Sequence, residues 1–110
     1  RFTDDKNRLK FVVDPKTILY VKSDENYCII HYVEAGKPKV YSLRSTISKL
    51  EEKCAPYNIV RCHRSYCVNM DNVKSMKKEP DKTNVLELNV AGLDMVPVSE
   101  RYSAKISEML

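Results

Sequence analysis

The feature that most limits the fold of this chain is a pattern in which successive side chains alternate between two faces. Residues 27–33 place alternate side chains on the two faces of an extended segment, with Cys28, Ile30 and Tyr32 on one face and Ile29, His31 and Val33 on the other. Residues 85–90 alternate in the same way, with Leu86, Leu88 and Val90 on one face. A period of two is the period of a β-strand, so both segments are predicted to be strands.

Further short segments rich in β-branched and aromatic residues are also predicted to be strands. They cover residues 17–22, 39–43, 59–62, 66–69, 73–76 and 95–98. The polar residues 23–26 form a predicted loop, and residues 35–38 turn the chain so that 39–43 pairs with 27–33 as a hairpin. We therefore expect a small, mainly antiparallel β domain.

One helix is predicted inside the chain. Ile47, Leu50 and Cys54 recur at helical spacing after Ser45, which is the candidate N-cap, and Pro56 ends the run. The result is a short amphipathic helix between two predicted strands.

A second helix is predicted at the C-terminus. Ser99 is its candidate N-cap, and Tyr102, Ile106 and Met109 lie along one stripe. The predicted fold class is therefore mainly β, with one short internal helix and a C-terminal helix.

The 110 residues suit a single domain. Residues 1–7 are predicted to be a linker remnant, and residues 8–110 the domain itself. Because the chain begins with Arg1 rather than Met, we expect it to be a piece of a longer protein. Its apolar runs fall far short of the roughly 18 residues of a membrane span, so we expect a soluble, cytoplasmic protein without a membrane partner.

Sequence signatures of catalysis are missing. The chain has two glycines, Gly36 and Gly92, so no glycine-rich phosphate loop is possible. Cys62 and His63 are neighbours, but adjacent side chains of a strand point to opposite faces and cannot form a nucleophilic pair. We expect no enzymatic activity, no catalytic residue and no cofactor.

Four cysteines raise the question of zinc or disulfides: Cys28, Cys54, Cys62 and Cys67. None forms a C-x-x-C pair, and only His31 and His63 could complete a metal site. We expect reduced, mostly buried thiols and no metal, with a redox switch as the minor alternative.

Three polar segments interrupt the predicted strands: Asn26 with its neighbours, His63-Arg64-Ser65, and Ser99-Glu100-Arg101. The planar fork of an arginine can bond guanine O6 and N7 together or clasp a phosphate, and Asn can read an adenine edge. The net charge of +4 permits a polyanionic partner without requiring one. Surface turns explain Asn26 and His63-Arg64-Ser65 equally well, and the helix dipole explains Glu100 more simply. The spacing does not show whether the three segments share a face.

At these residues the sequence resembles the LytTR family, the DNA-binding output domains of bacterial response regulators. The resemblance runs from about Leu9 to Leu110 and is carried by residues 18–21, 26–27, 45–52, 61–69 and 96–102. Segment 61–69, Arg-Cys-His-Arg-Ser-Tyr-Cys-Val-Asn, is the most characteristic. The family implies an elongated arrangement of small β-sheets, from which loops enter successive major grooves of double-stranded DNA.

The resemblance also implies roles for individual residues. Asn26, Tyr27, Arg64 and Arg101 would read bases, with Arg64 and Arg101 as the leading candidates. Residues that would contact the DNA backbone or orient the loops are Lys22, Arg44, Ser45, His63, Ser65, Asn69, Lys74 and Ser99. The same resemblance implies an N-terminal receiver domain outside this chain and a homodimer on paired half-sites.

Two other functions stay open at this point. The chain could be a β-rich protein-interaction module whose basic charge is incidental. It could also bind single-stranded RNA or DNA, which would require Tyr20, Tyr27, Tyr32 and Tyr41 to form an exposed stacking platform.

Overall fold

The computed structural model describes residues 1–89 and 95–110, and strands dominate these residues. Their ten strands form three antiparallel sheets with two, three and five members. Two α-helices accompany them, α1 at Ile47–Cys54 and α2 at Glu100–Met109. The predicted fold class, mainly β with one internal and one C-terminal helix, is therefore confirmed.

The five-stranded sheet is the centre of the molecule. Its strands, in the order in which they lie side by side, are β5 (Lys37–Arg44), β4 (Tyr27–Glu34), β3 (Ile18–Asp24), β7 (Tyr66–Asn69) and β6 (Ile59–His63). The predicted hairpin between β4 and β5 is present, and Cys28, Ile30 and Tyr32 of β4 lie buried on one face as the alternation predicts.

The predicted loop at residues 23–26 is shorter than expected. Ser23 and Asp24 continue β3, where Asp24 pairs with Tyr27, so only Glu25 and Asn26 turn the chain. Glu25 adopts a φ of 55°, in the left-handed region. A two-residue turn of this kind matches the twist of the strands that it joins, which explains why pairing continues to its edge.

The two smaller sheets flank the centre. Strands β1 (Phe2–Thr3) and β2 (Leu9–Phe11) form one, and β8 (Val73–Lys78), β9 (Asn84–Leu88) and β10 (Val96–Val98) form the other in the order β10-β9-β8. Two residues named in the sequence analysis, Val90 and Gly92, lie outside the described residues. The domain boundary at residue 8 stays a prediction, although Phe2 lies buried in the core.

Helix α1 begins one residue later than predicted. Its N-cap is Thr46, whose Oγ1 accepts a hydrogen bond from the Lys49 amide at 3.3 Å. Ser45 is not the cap, because it follows Leu43 in the alternation of β5 and lies buried. Pro56 lies in a short 3-10 helix, Ala55–Tyr57, directly after α1.

Helix α2 follows Ser99, as predicted. Within the described residues the Ser99 side chain makes no capping hydrogen bond. Ile106 is fully buried and Tyr102 half-buried, whereas Met109 is 38% exposed at the end of the helix. The predicted apolar stripe is therefore buried at Ile106, half-buried at Tyr102 and exposed at Met109, the last residue of the helix.

Two hydrophobic cores lie on the two faces of the central sheet. One joins β3 and β4 to α1 through residues such as Val21, Ile30 and Leu50. The other joins the central sheet to β9, β10 and α2 through Val68, Leu86, Val96 and Ile106. The layers give a body of 42 × 30 × 24 Å, which fits the predicted elongated arrangement. Neither helix described here has the length and apolar character to cross a membrane.

Candidate nucleic-acid interface

Two of the predicted polar segments lie at the same end of the central sheet. The β3–β4 turn carries Asn26, and the β6–β7 turn consists of Arg64 and Ser65. Strands β3 and β7 pair antiparallel with Lys22 opposite Tyr66, so both turns emerge at one end. The Ser23 amide donates to the Ser65 carbonyl at 2.8 Å and joins the two turns directly.

The third polar segment joins this end through the backbone. The Ser99 amide donates to the Cys62 carbonyl at 3.0 Å, which holds the start of α2 against the end of β6. We call this end of the molecule the turn end. It comprises Lys22, Asn26, Tyr27, Arg44, His63, Arg64, Ser65, Ser99 and Arg101.

Four exposed cations give the turn end its charge: Lys22, Arg44, Arg64 and Arg101. The Lys22 Nζ lies 5.8 Å from the centre of the Tyr66 ring, and the Arg101 guanidinium lies 5.4 Å from that of Tyr102. Such contacts between a cation and an aromatic face hold long side chains in place without removing their charge.

Arg44 has a carboxylate partner in the described part of the chain. Its Nε donates to Asp5 Oδ2 at 3.0 Å, and its guanidinium lies 5.7 Å from the centre of the Tyr27 ring. Hydrogen bonds with Tyr27 and Asp5 raise the pKa of Arg44. A phosphate that binds Arg44 would therefore have to compete with Asp5.

His63 stabilises the β6–β7 turn through a hydrogen bond to its backbone. Its Nδ1 accepts a hydrogen bond from the Ser65 amide at 3.1 Å, and its ring meets Tyr66 edge-on with the ring centres 5.5 Å apart. Burial and the charges of Arg64 and Arg61 lower the pKa of His63 below 6.5. At neutral pH the imidazole is therefore uncharged, and its proton lies on Nε2, where it can be donated to a ligand.

Three of the predicted contact residues are not displayed at the turn end. Ser45 is buried there, and its carbonyl accepts a bond from the Cys28 thiol at 3.4 Å. Asn69 is buried at the opposite end of β7, where its Nδ2 donates to the Ile18 carbonyl at 2.9 Å. Lys74 is exposed on β8, close to Asn72, whose side chain donates to the same Ile18 carbonyl. The Nζ of Lys74 lies 3.4 Å from Glu87 Oε1.

The tyrosines do not form a stacking platform. Tyr20 and Tyr32 are buried, and Tyr41 stacks on Phe11 with the ring centres 4.3 Å apart. Tyr27 alone among the four is exposed. The geometry therefore does not favour the single-stranded binding mode that was left open above.

All four cysteines are buried and free, in agreement with the predicted thiols. Cys62 belongs to the core beneath α2, whereas Cys28, Cys54 and Cys67 belong to the core beneath α1. Burial raises the pKa of Cys62 and Cys67 to about 12 and that of Cys28 and Cys54 to about 11. The thiols therefore stay protonated and unreactive at neutral pH.

Sequence reasoning missed two groups of residues next to the turn end. Arg61 lies behind the β6–β7 turn and bonds to its carbonyl oxygens. Lys78 and Lys82 line a cleft of about 500 Å³ beside Ser99. The basic run of residues 77–78 signalled the lysines, but only the pairing of β9 with β10 brings them next to α2.

Comparison with known proteins agrees with this architecture. Residues 9–110 match the family described as the LytTr DNA-binding domain. A solved LytTr DNA-binding domain, from a putative methyl-accepting/DNA response regulator of Bacillus cereus, superimposes with a TM-score of 0.70. At 20% identity, with 88% of this chain and 84% of that chain covered, it supports the fold.

Curated relatives extend the comparison. The transcriptional regulatory protein YpdB of Escherichia coli K12 is 31% identical over 98% of this chain and 45% of its own length. An uncharacterized response regulatory protein of Vibrio cholerae is 38% identical over 71% of this chain and 30% of its own length. The sensory transduction protein LytT of Bacillus subtilis is 23% identical over 90% of this chain and 39% of its own length. This chain thus spans less than half of the length of each of these three relatives. Because the family model matches residues 9–110, the chain belongs to the LytTr DNA-binding domain family.

Proposed function

We propose that this domain binds double-stranded DNA in a sequence-specific manner through its turn end. One observation carries the proposal: three polar segments from distant parts of the sequence are joined by backbone hydrogen bonds at one end of the central sheet. Four exposed cations lie there, and phosphates of the duplex would attract them. The family membership gives the ligand, DNA.

The exposed residues of the turn end fall into two groups, those proposed to contact bases and those proposed to contact phosphates. Arg64 and Arg101, with Asn26 and Tyr27, are proposed to read bases in successive major grooves, because their side chains project from the turn end. Phosphate contacts are assigned to Lys22, Arg44, Ser65 and Ser99, and His63 Nε2 can donate to the same backbone. Ser45 and Asn69 are proposed to orient loops from within, and Lys74 to contact phosphate from outside the turn end.

The rest of the regulator is proposed from the relatives. Their names describe response regulatory and transcriptional regulatory proteins that are more than twice as long as this chain. We infer that this domain is the output of a cytoplasmic response regulator with a receiver domain, that it dimerises on paired half-sites, and that it catalyses no reaction.

Selection from a pool of random duplexes with the purified domain tests the proposal. We expect one enriched motif, and Arg64→Ala should weaken binding to it by about 1–3 kcal/mol and relax preference at one base pair. A matched change of an exposed cation at the other end of β5, Lys39→Ala, should leave the preference unchanged. Enrichment of no motif would favour the protein-interaction alternative, and equal binding by Arg64→Ala would overturn the base-reading role.

A further inference from the structure

The Arg61 side chain makes a set of contacts that the motif does not explain. Its Nε donates to the His63 carbonyl at 3.1 Å, and one terminal nitrogen donates to the Arg64 carbonyl at 3.0 Å. The other terminal nitrogen donates to Glu51 Oε1 at 2.6 Å, on helix α1. One guanidinium thus bonds to two successive carbonyl oxygens of the β6–β7 turn and to a neighbouring helix.

Arg61 points away from the surface that carries Arg64. Its side chain is 13% exposed, whereas Arg64 is an exposed residue of the turn. Opposite Cys67, Arg61 lies on the face of the sheet that packs against α1. A cation in this position costs free energy unless it is paired, and Glu51 provides the pair.

The backbone at this point needs support. The pairing of β6 with β7 shifts register between Arg61 and His63, so the regular ladder is interrupted just before the turn. A bulge of this kind redirects the side chains that follow it. The two carbonyls bonded by Arg61 belong to His63, whose pair with Tyr66 is the last of the ladder, and to Arg64, which lies in the turn beyond it.

We propose that Arg61, locked by Glu51, is the positioning residue that sets the direction of Arg64 and thereby the base preference of the domain. The inference rests on the proposed role of Arg64. Only a guanidinium can perform this task, because its donors form a rigid planar fork, whereas a lysine carries a single ammonium on a flexible stem. Arg61→Lys keeps the charge and loses the fork.

The first measurement uses the free domain and does not depend on DNA. In Arg61→Lys, the amide ¹H and ¹⁵N resonances of Arg64, Ser65 and Tyr66 should shift, and the Ser65 amide should exchange with solvent faster. Arg8→Lys is the matched control, since Arg8 also bonds to a carboxylate, Asp4, but lies in the N-terminal hairpin. Unchanged resonances in the turn of Arg61→Lys would overturn the proposal.

The second measurement compares affinities for the selected duplex and for a duplex changed at the base pair that Arg64→Ala identifies. In Arg61→Lys the ratio of the two affinities should fall at least about fivefold, while the dependence of affinity on salt concentration stays that of the wild type. In Arg61→Gln, which removes the charge, a salt slope reduced by about 0.9 would instead identify Arg61 as a phosphate contact and overturn the positioning role.

Glu51→Gln provides a variant that keeps the guanidinium and removes the negative charge that pairs with it. It should lower the same affinity ratio in the same direction, and it serves as the test if Arg61→Lys does not fold. If Arg64→Ala abolishes base preference while Arg61→Lys and Glu51→Gln keep the wild-type ratio, this inference fails and the proposed function stands. If Arg64→Ala itself keeps the wild-type preference, the proposed base-reading role of Arg64 fails first.

Discussion

His63 shows how one side chain links the β6–β7 turn to pH. Its neutral Nδ1 accepts the Ser65 amide, and the imidazolium form would lose that acceptor. Burial and the neighbouring charges of Arg64 and Arg61 disfavour protonation in the folded state, which is why the pKa of His63 lies below 6.5. In the unfolded chain these influences are absent, so the unfolded state takes up the proton first as the pH falls.

Acidic pH should destabilise the folded domain through His63, because the folded state disfavours its protonation. The contribution of His63 is fully present above its unfolded pKa and is lost as the pH falls through the lower, folded pKa. Between about pH 8 and pH 5, the free energy of unfolding should therefore fall more steeply in the wild type than in His63→Gln. Urea denaturation at a series of pH values measures both curves, and parallel curves would contradict the prediction.

Asn69 marks the limit of what the motif predicts for single residues. Both Asn69 and Arg64 belong to the characteristic segment, yet Asn69 is 1% exposed and Arg64 is an exposed residue. Asn69 lies at the inner end of β7, where its amide bonds to the Ile18 carbonyl and its Oδ1 accepts the Asp71 amide. The sequence predicted the segment, but not which of its residues are exposed and which are buried. That difference depends on the antiparallel pairing of β3 with β7, which places Arg64 at the turn end and Asn69 at the opposite end of β7.

At the scale of elements, the start of α1 depends on a single side chain. Thr46→Ala should lower the free energy of unfolding by about 1 kcal/mol, because the Lys49 amide loses its acceptor. Ser45→Ala should cost less, since the Ser45 hydroxyl makes only a 3.4 Å bond to the Thr46 carbonyl. Chemical denaturation of the two variants checks the order, and a larger loss in Ser45→Ala would show that Ser45 is the effective cap.

The same pair of residues explains why helix boundaries were harder to predict than strands. Ser45 and Thr46 are both good N-caps by type, so composition cannot choose between them. The alternation of β5 decides, because Leu43 and Ser45 face the core and leave Thr46 free to cap. Strands such as β4 were predictable because seven or more residues repeat one pattern, whereas the cap depends on one.

At the scale of the whole molecule, the position of a cation should decide how strongly it affects DNA binding. Lys22→Ala should lower the slope of log affinity against log salt by about 0.9, because Lys22 lies at the turn end. Lys74→Ala should lower it less, since Glu87 already neutralises Lys74 in part. Lys39, at the far end of β5, is the control and should leave the slope unchanged. Equal slopes for Lys22→Ala and Lys39→Ala would place the DNA elsewhere.

The meeting of the three polar segments could not be predicted from their spacing. It depends on the pairing of β3 with β7 and on the bond between Ser99 and Cys62, which are contacts between distant parts of the chain. The resemblance to the family led us to expect that the three loops act together. The structure shows the backbone hydrogen bonds that join them. Local patterns predicted the elements, while their assembly required long-range pairing.

The bonds that join the three segments have a consequence for how such a domain changes over generations. Ser23 bonds to Ser65 and Ser99 to Cys62 through backbone atoms alone. The identity of the exposed side chains at residues 26, 64 and 101 does not enter these bonds. From the base-reading roles proposed for these residues it follows that descendants of this domain can acquire new target sequences by single substitutions at the surface, while the scaffold that presents those side chains is inherited unchanged.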